Sequence, residues 1–254
     1  MQGDHQRTNA SLAVALSNVW LASSKYSREE HRNPKYVPHI NNYTDTLVAP
    51  LTQPARIGLS ICKWPGRAQV LQMPDTPNLT LFLDGAHTPE SMQVCATWFA
   101  NREANKEDKS DTLRVLMFHC GSGRDPALLM GPLVNQAGPF DKALFTTFVV
   151  HPPTASQSTV LVRNKADNDV KWQQQVVENW HKVNSAKSAP VSTSPSSTTA
   201  SAPTETEVFP SITDTINRLK QIAHSQPNKN IHVLVTGSLY LVGGVLEVAN
   251  YTIL

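Results

Sequence analysis

Apolar side chains at Leu12, Val14, Ala15, Leu16, Val19, Trp20 and Leu21 recur close to a helical repeat, and they predict a helix over residues 9–23. Asn9 stands where a short polar side chain accepts a hydrogen bond from a first-turn N–H, so it is the expected cap. From residue 24 to 54 the pattern fades into charged sequence, and Asn33-Pro34 and Val37-Pro38 oppose regular structure, which predicts a linker. RIGLSICKWPGRAQVLQ and LTLFLD are β-favouring runs divided by Pro-Asp and Pro-Asn turn signals, and both read as strands. The second runs into GAHTPESMQVCATWFANRE, where Thr88 is the expected N-cap and Pro89 takes the first helical position, at which its missing N–H costs nothing.

The same order recurs downstream. LRVLMFHC predicts a strand and GSGRDPALLMGPLVNQ a helix opened by Asp125 and Pro126; KALFTTFVV (142–150) is a further strand and WQQQVVENWHKV a helix. Residues 184–207 are nearly all Ser, Thr, Ala, Pro, Lys and Glu, too poor in large apolar groups to offset the entropy of ordering them, and predict a disordered insertion. A capped helix, PSITDTINRLKQIAHS, then precedes IHVLVTGSLYLVGGVLEVA, a buried strand, a glycine turn and a helix. Strands alternating with helices at these spacings predict an α/β fold, a mostly parallel sheet with helices on both faces. Ligands of such sheets gather at the C-terminal ends of the strands, which singles out the loops DGAHT, HCGSGRD and TGSLY.

Composition narrows the function classes. With 22 basic and 20 acidic residues in 254, the net charge of +2 supplies no field to collect nucleic acid or an anionic membrane. Cys62, Cys95 and Cys120 are widely spaced, odd in number and form no CxxC pair, so neither a disulfide framework nor a zinc site is predicted. No run approaches the roughly 20 apolar residues of a membrane span, and the polar N-terminus lacks a signal-peptide core; the expectation is an intracellular protein.

Four groups carry candidate chemistry. Asp84 ends a buried strand and could accept hydrogen bonds from a vicinal diol such as that of ribose, while His87 precedes a helix start and could face phosphate or carboxylate oxygens. The plain alternative is a closed turn and a capped helix. Arg67, presented by the WPGR turn, suits phosphate contact or stacking on a purine; the alternative is a solvated surface arginine. Ser238, beside Gly237 at the start of the last helix, could help hold a carboxylate or simply cap that helix. No GxxxxGK[ST] occurs in the sequence, so these residues contain no P-loop. His119 beside Cys120 invites a metal or thiol–imidazole reading, but neighbours on a strand point to opposite faces.

HQRTNASLA, WPGRAQVL, LFLDGAHTPESMQVC, GSGRDP and VLVTGSLYLVGGVLEV, in this order and spacing, resemble the C-terminal part of eukaryotic folylpolyglutamate synthases, over most of the chain outside the Ser/Thr/Pro stretch. The resemblance implies a Rossmann-like C-terminal domain of Mur ligase type at 55–183 and 208–254, preceded by the terminal helix of an ATPase domain (1–25) and a linker (26–54). It implies ATP-dependent addition of L-glutamate to the γ-carboxylate of tetrahydrofolate through an acyl phosphate, with magnesium held by residues outside this sequence. Asn9 would then meet the adenine side of ATP, Arg67 and Asp84 would hold the nucleotide, and His87 and Ser238 would lie near the incoming glutamate or the reacting phosphates. The implied setting is a monomer in the cytoplasm, the mitochondrion or both. A stand-alone nucleotide-binding fragment without ligase activity is the alternative.

Overall fold

The computed structural model describes residues 5–30, 52–104, 111–151, 170–188 and 204–252. Two compact units divide the chain, Met1–Trp64 and Pro65–Leu254.

In the first unit, α1 (His5–Glu30) is longer than its apolar repeat suggested. Asn9 therefore does not cap it: it lies inside the helix, exposed, with its Nδ2–H donating to Gln6 Oε1 at 3.2 Å. Neither Gln6 nor Arg7 opposes helical backbone, so the helix continues past Asn9 towards the N-terminus. The segment QPARIGLSI, expected as linker and strand, is the helix α2 (Gln53–Ile61). Thr52 Oγ1 accepts from Ala55 N–H at 3.4 Å and Pro54 fits the first turn, so local capping outweighs the β-favouring isoleucines. Of the expected linker, 31–51 lie outside the described residues.

The second unit holds β1 (Gln69–Gln72), β2 (Leu79–Leu83), α3 (Pro89–Ala104), β3 (Thr112–Phe118), α4 (Pro126–Pro132) with a π-helical turn at Leu133–Ala137, and β4 (Lys142–Thr146). There follow α5 (Val170–Ser188), β5 (Glu205–Phe209), α6 (Ile212–Ser225), β6 (Asn230–Thr236) and α7 (Leu239–Val248). The strands form one sheet in the order β1-β2-β6-β3-β4-β5, with β1 antiparallel and every other pairing parallel.

Alternation along each strand sorts the core into two layers. Phe82, Leu116, Phe118, Phe145 and Leu234 face α3, α4 and α5; Leu81, Leu83, Met117, Val233 and Val235 face α6 and α7. Each such side chain taken fully out of water contributes about 1.5–3 kcal/mol, which is why the central strands read as near-continuous apolar runs. The expected α/β class and its two-sided helical cover are what the structure shows. The chain leaves β2 and β3 for helices on one face, whereas β6, lying between them, leaves for α7 on the other. Divergent exits at neighbouring strand ends open a crevice at the C-terminal edge.

Three boundaries differ from expectation. β4 stops at Thr146, because Thr147 turns its hydroxyl onto the Pro210 carbonyl at 2.6 Å. α5 runs on to Ser188, with Val183 packed on the core and Asn184 Nδ2–H donating to Trp180 O at 3.0 Å, so 184–188 do not belong to an irregular insertion. Glu205–Phe209 pair with β4 from Lys142↔Glu205 to Thr146↔Phe209, a strand missed in a polar stretch. Residues 189–203 of the expected insertion lie outside the described residues. No helix among the described residues is long and apolar enough to cross a membrane.

Candidate functional site

Because β1 runs against β2 with Gln69 opposite Leu83, the Pro65–Arg67 turn enters the sheet at the edge where β2 leaves it. Backbone bonds then join the loops at that edge. Gly85 N–H donates to Gly66 O, and Gly237 N–H to Ala86 O, both at 3.0 Å. Gly237 has φ +101, and a Cβ there would fall well inside contact distance of the His119 carbonyl oxygen, so only glycine allows the loops after β6 and β3 to approach this closely.

Asp84 is the bracket of the arrangement. It is 6% exposed, and its two carboxylate oxygens accept from Ala68 N–H and Ala86 N–H, each at 2.9 Å. One buried carboxylate thus ties the start of β1 to the end of β2 and holds Ala68 at φ +44, a left-handed backbone that costs a non-glycine residue about 1–2 kcal/mol. Arg67, next to it, is half-buried and has no hydrogen-bond or ion-pair partner among the described residues.

The turn after Asp84 is built as its sequence predicts. Thr88 Oγ1 accepts from Ser91 N–H at 3.2 Å, while Ser91 Oγ accepts from His87 N–H at 3.1 Å and Thr88 N–H at 3.0 Å, a reciprocal cap for α3. His87 Nδ1 lies 2.8 Å from the Gly85 carbonyl, which can only accept; the proton therefore sits on Nδ1, and Nε2 is left for a ligand. Ser238 is the N-cap of α7, with Oγ accepting from Tyr240 N–H at 3.2 Å. Asp125 caps α4, accepting from Ala127 N–H at 2.9 Å.

Arg124 was not singled out in the sequence, where it reads as one more loop arginine. In the fold its guanidinium donates to the His87 carbonyl, so it joins the loop after β3 to the loop after β2. The glycines on either side of Ser122, together with Asp125-Pro126 opening a helix, were the available signal. Arg67, Arg124 and the N-terminus of α7 give this edge a surplus of donors and positive charge, suited to phosphate or carboxylate oxygens, and His87 Nε2 adds an acceptor beside them.

The two buried cysteines take no part in this chemistry. Cys95 is buried and its Sγ–H donates to Thr236 Oγ1 at 3.6 Å; burial, with the Asp84 carboxylate adding to it, pushes the thiol far above its ordinary range and leaves it un-ionised. His119 Nδ1 lies 2.9 Å from the Thr146 carbonyl and Cys120 is buried. Among the described residues no group of three or more His, Cys, Asp or Glu side chains is arranged to hold a metal ion.

Sequence comparison finds relatives over nearly the whole chain. The mitochondrial folylpolyglutamate synthase of Homo sapiens is 33% identical over 97% of this chain and 48% of its own length. A folylpolyglutamate synthase of Arabidopsis thaliana is 30% identical over 97% of this chain and 45% of its own. In sequence, the chain is similar to the folylpolyglutamate synthases over nearly its whole length. It spans less than half the length of these curated relatives, a share that a C-terminal portion of a folylpolyglutamate synthase fits. No family model matches the sequence. Among solved structures, the Mycobacterium tuberculosis folylpolyglutamate synthase complexed with ADP and AMPPCP is 16% identical, covering 78% of this chain and 35% of its own, with a TM-score of 0.48.

Proposed function

We propose that the C-terminal edge of this sheet is one wall of an ATP-dependent ligase site that adds L-glutamate to the γ-carboxylate of a reduced folate. The observation that carries the reading is the joining of the loops bearing Arg67, Asp84, His87, Arg124 and Ser238 at one edge, in a chain related to folylpolyglutamate synthases. In such a reaction the folate carboxylate attacks the γ-phosphate of ATP, breaking its bond to the β-phosphate and releasing ADP, and the amine of glutamate then displaces phosphate from the acyl phosphate, losing a proton as the amide forms. Phosphoryl transfer asks mainly for positioning and charge neutralisation.

Each residue here has a part consistent with that demand. Arg67 offers a forked cation to phosphate, and Asp84 keeps the backbone beneath Arg67 in place rather than turning its own oxygens to solvent. The Arg124 guanidinium and the first turn of α7 at Ser238 present donors to the carboxylates of glutamate or the oxygens of the transferred phosphoryl group, while His87 Nε2, with the ring proton on Nδ1, presents an acceptor to the glutamate amine. Asn9 belongs to the other compact unit, and its place at the adenine side rests on the resemblance alone. The described residues offer no cluster of side chains to hold magnesium, and its ligands and the P-loop would come from outside these residues. We assign the activity to the cytoplasm or the mitochondrion, the human relative being named mitochondrial.

The test is incorporation of labelled glutamate into tetrahydrofolate, dependent on ATP. The 254-residue chain alone is expected to incorporate none, and the same chain joined to the P-loop half of a curated relative is expected to ligate. Ligation by the chain alone, or a joined protein that binds nucleotide yet never ligates, would sink the reading.

A further inference from the structure

The first turn of α5 reaches the candidate site from behind. Trp172 Nε1–H donates to the Cys120 carbonyl at 2.8 Å, and the Gln173 amide, wholly buried, lies 3.3 Å from His119 Nδ1. The Thr146 carbonyl already fixes a proton on Nδ1. The amide therefore meets His119 best through its oxygen, which in the opposite orientation is a buried acceptor with no partner among the described residues.

His119 and Cys120 are the last residues before Gly121–Arg124, a loop whose two glycines leave it little stiffness of its own. Arg124 N–H closes a turn onto Gly121 O at 3.1 Å, and its guanidinium grips the His87 carbonyl. A continuous chain of hydrogen bonds and backbone thus runs from α5 through His119 and Cys120 to Arg124 and His87. We propose that Trp172 and Gln173 are positioning residues for this anion-facing edge. They hold the backbone of residues 119–120, so that Arg124 and, through the carbonyl it grips, His87 keep one geometry. The claim about loop order stands on contacts alone; its consequence for ligation rests on the function proposed above.

The experiment uses Trp172→Phe, which keeps the ring and removes the N–H, and Gln173→Leu, which keeps the bulk and removes the amide. Amide hydrogen exchange is measured on the 254-residue proteins, and glutamate kinetics on the same variants joined to the P-loop half of a relative. Expected are amides of residues 121–124 exchanging roughly tenfold faster while β6 and α6 keep their wild-type rates, and a KM for glutamate raised roughly tenfold with kcat within about twofold. Unchanged exchange at 121–124 in both variants overturns the proposal, as does acceleration spread evenly over the domain. Local loosening with an unchanged KM overturns the link to substrate. If the wild-type joined protein does not ligate at all, the ligase reading fails, while the exchange result still decides whether α5 braces the loop.

Discussion

The two edges of the sheet both carry polar side chains, but they finish their hydrogen bonds differently. At the N-terminal edge His232 pairs with Glu103 at 3.1 Å, Glu103 lies 3.8 Å from Arg114 Nε, and Arg114 also bonds the Ala137 carbonyl beneath Phe99 and Phe140. Asn78 Nδ2 contacts the carbonyls of Ala223, Gln226 and Lys229 at the end of α6. Those groups turn inward and serve one another. At the C-terminal edge Asp84 also turns inward, but Arg67, His87 Nε2 and Arg124 face outward from a backbone that other residues hold still. A closed polar cluster serves the fold, and an open one on a fixed frame is ready for a ligand.

The sharpest way to break this contrast is at the closed edge. Glu103→Ala should lower the unfolding free energy by about 3 kcal/mol, since it takes the larger of two carboxylate contributions, Asp141 being the other, from the partly buried Arg114 charge and removes the carboxylate that His232 pairs with, and it should leave nucleotide or anion binding alone; a urea titration showing no loss would end the idea of a stabilising cluster. Asp84→Ala comes next, at about 2 kcal/mol, because two backbone N–H groups lose their acceptor. Unlike Glu103→Ala, it should also raise the ATP requirement of the joined enzyme. Ser238→Ala should cost about 1 kcal/mol as a lost N-cap. Arg67→Ala should change stability by less than about 0.5 kcal/mol yet raise the ATP concentration needed for half-maximal ligation roughly tenfold; unchanged kinetics would remove Arg67 from the site.

The smallest effect concerns acid. The Lys220 hydrogen bond holds the Asp75 carboxyl below its ordinary value, and Lys142 does the same for Glu205. Folded values below the unfolded ones mean that this stabilisation is complete above the ordinary carboxylate range and is lost as pH falls through the lowered values. Both carboxylates are well exposed, so the drop in urea midpoint between about pH 5 and about pH 3 from these pairs should be slight. Asp75→Asn and Glu205→Gln together should reduce that drop.

The open edge was largely legible in the sequence, because its parts are local. LTLFLD followed by Thr88-Pro89, and IHVLVT followed by Gly237-Ser238, announce strand, turn and capped helix within a few residues of one another. What was not legible depends on distance or competition. RIGLSI has strand composition, and only the Thr52 cap and early Pro54 tip it into α2. Glu205–Phe209 offers few apolar groups and becomes a strand through pairing with β4 and the grip of Arg218 on Glu207 at 2.9 Å. The meeting of Trp172 with Cys120 joins residues 52 apart in sequence, and no local pattern encodes it.

Ala68 carries a consequence of its own. A methyl-bearing residue kept in a left-handed conformation by one distant carboxylate behaves like a spring under a catch. Slackening the catch, for instance with Asp84→Asn, would let the chain relax there and swing its neighbouring arginine aside, so the reach of that cation can be adjusted without altering the cation itself.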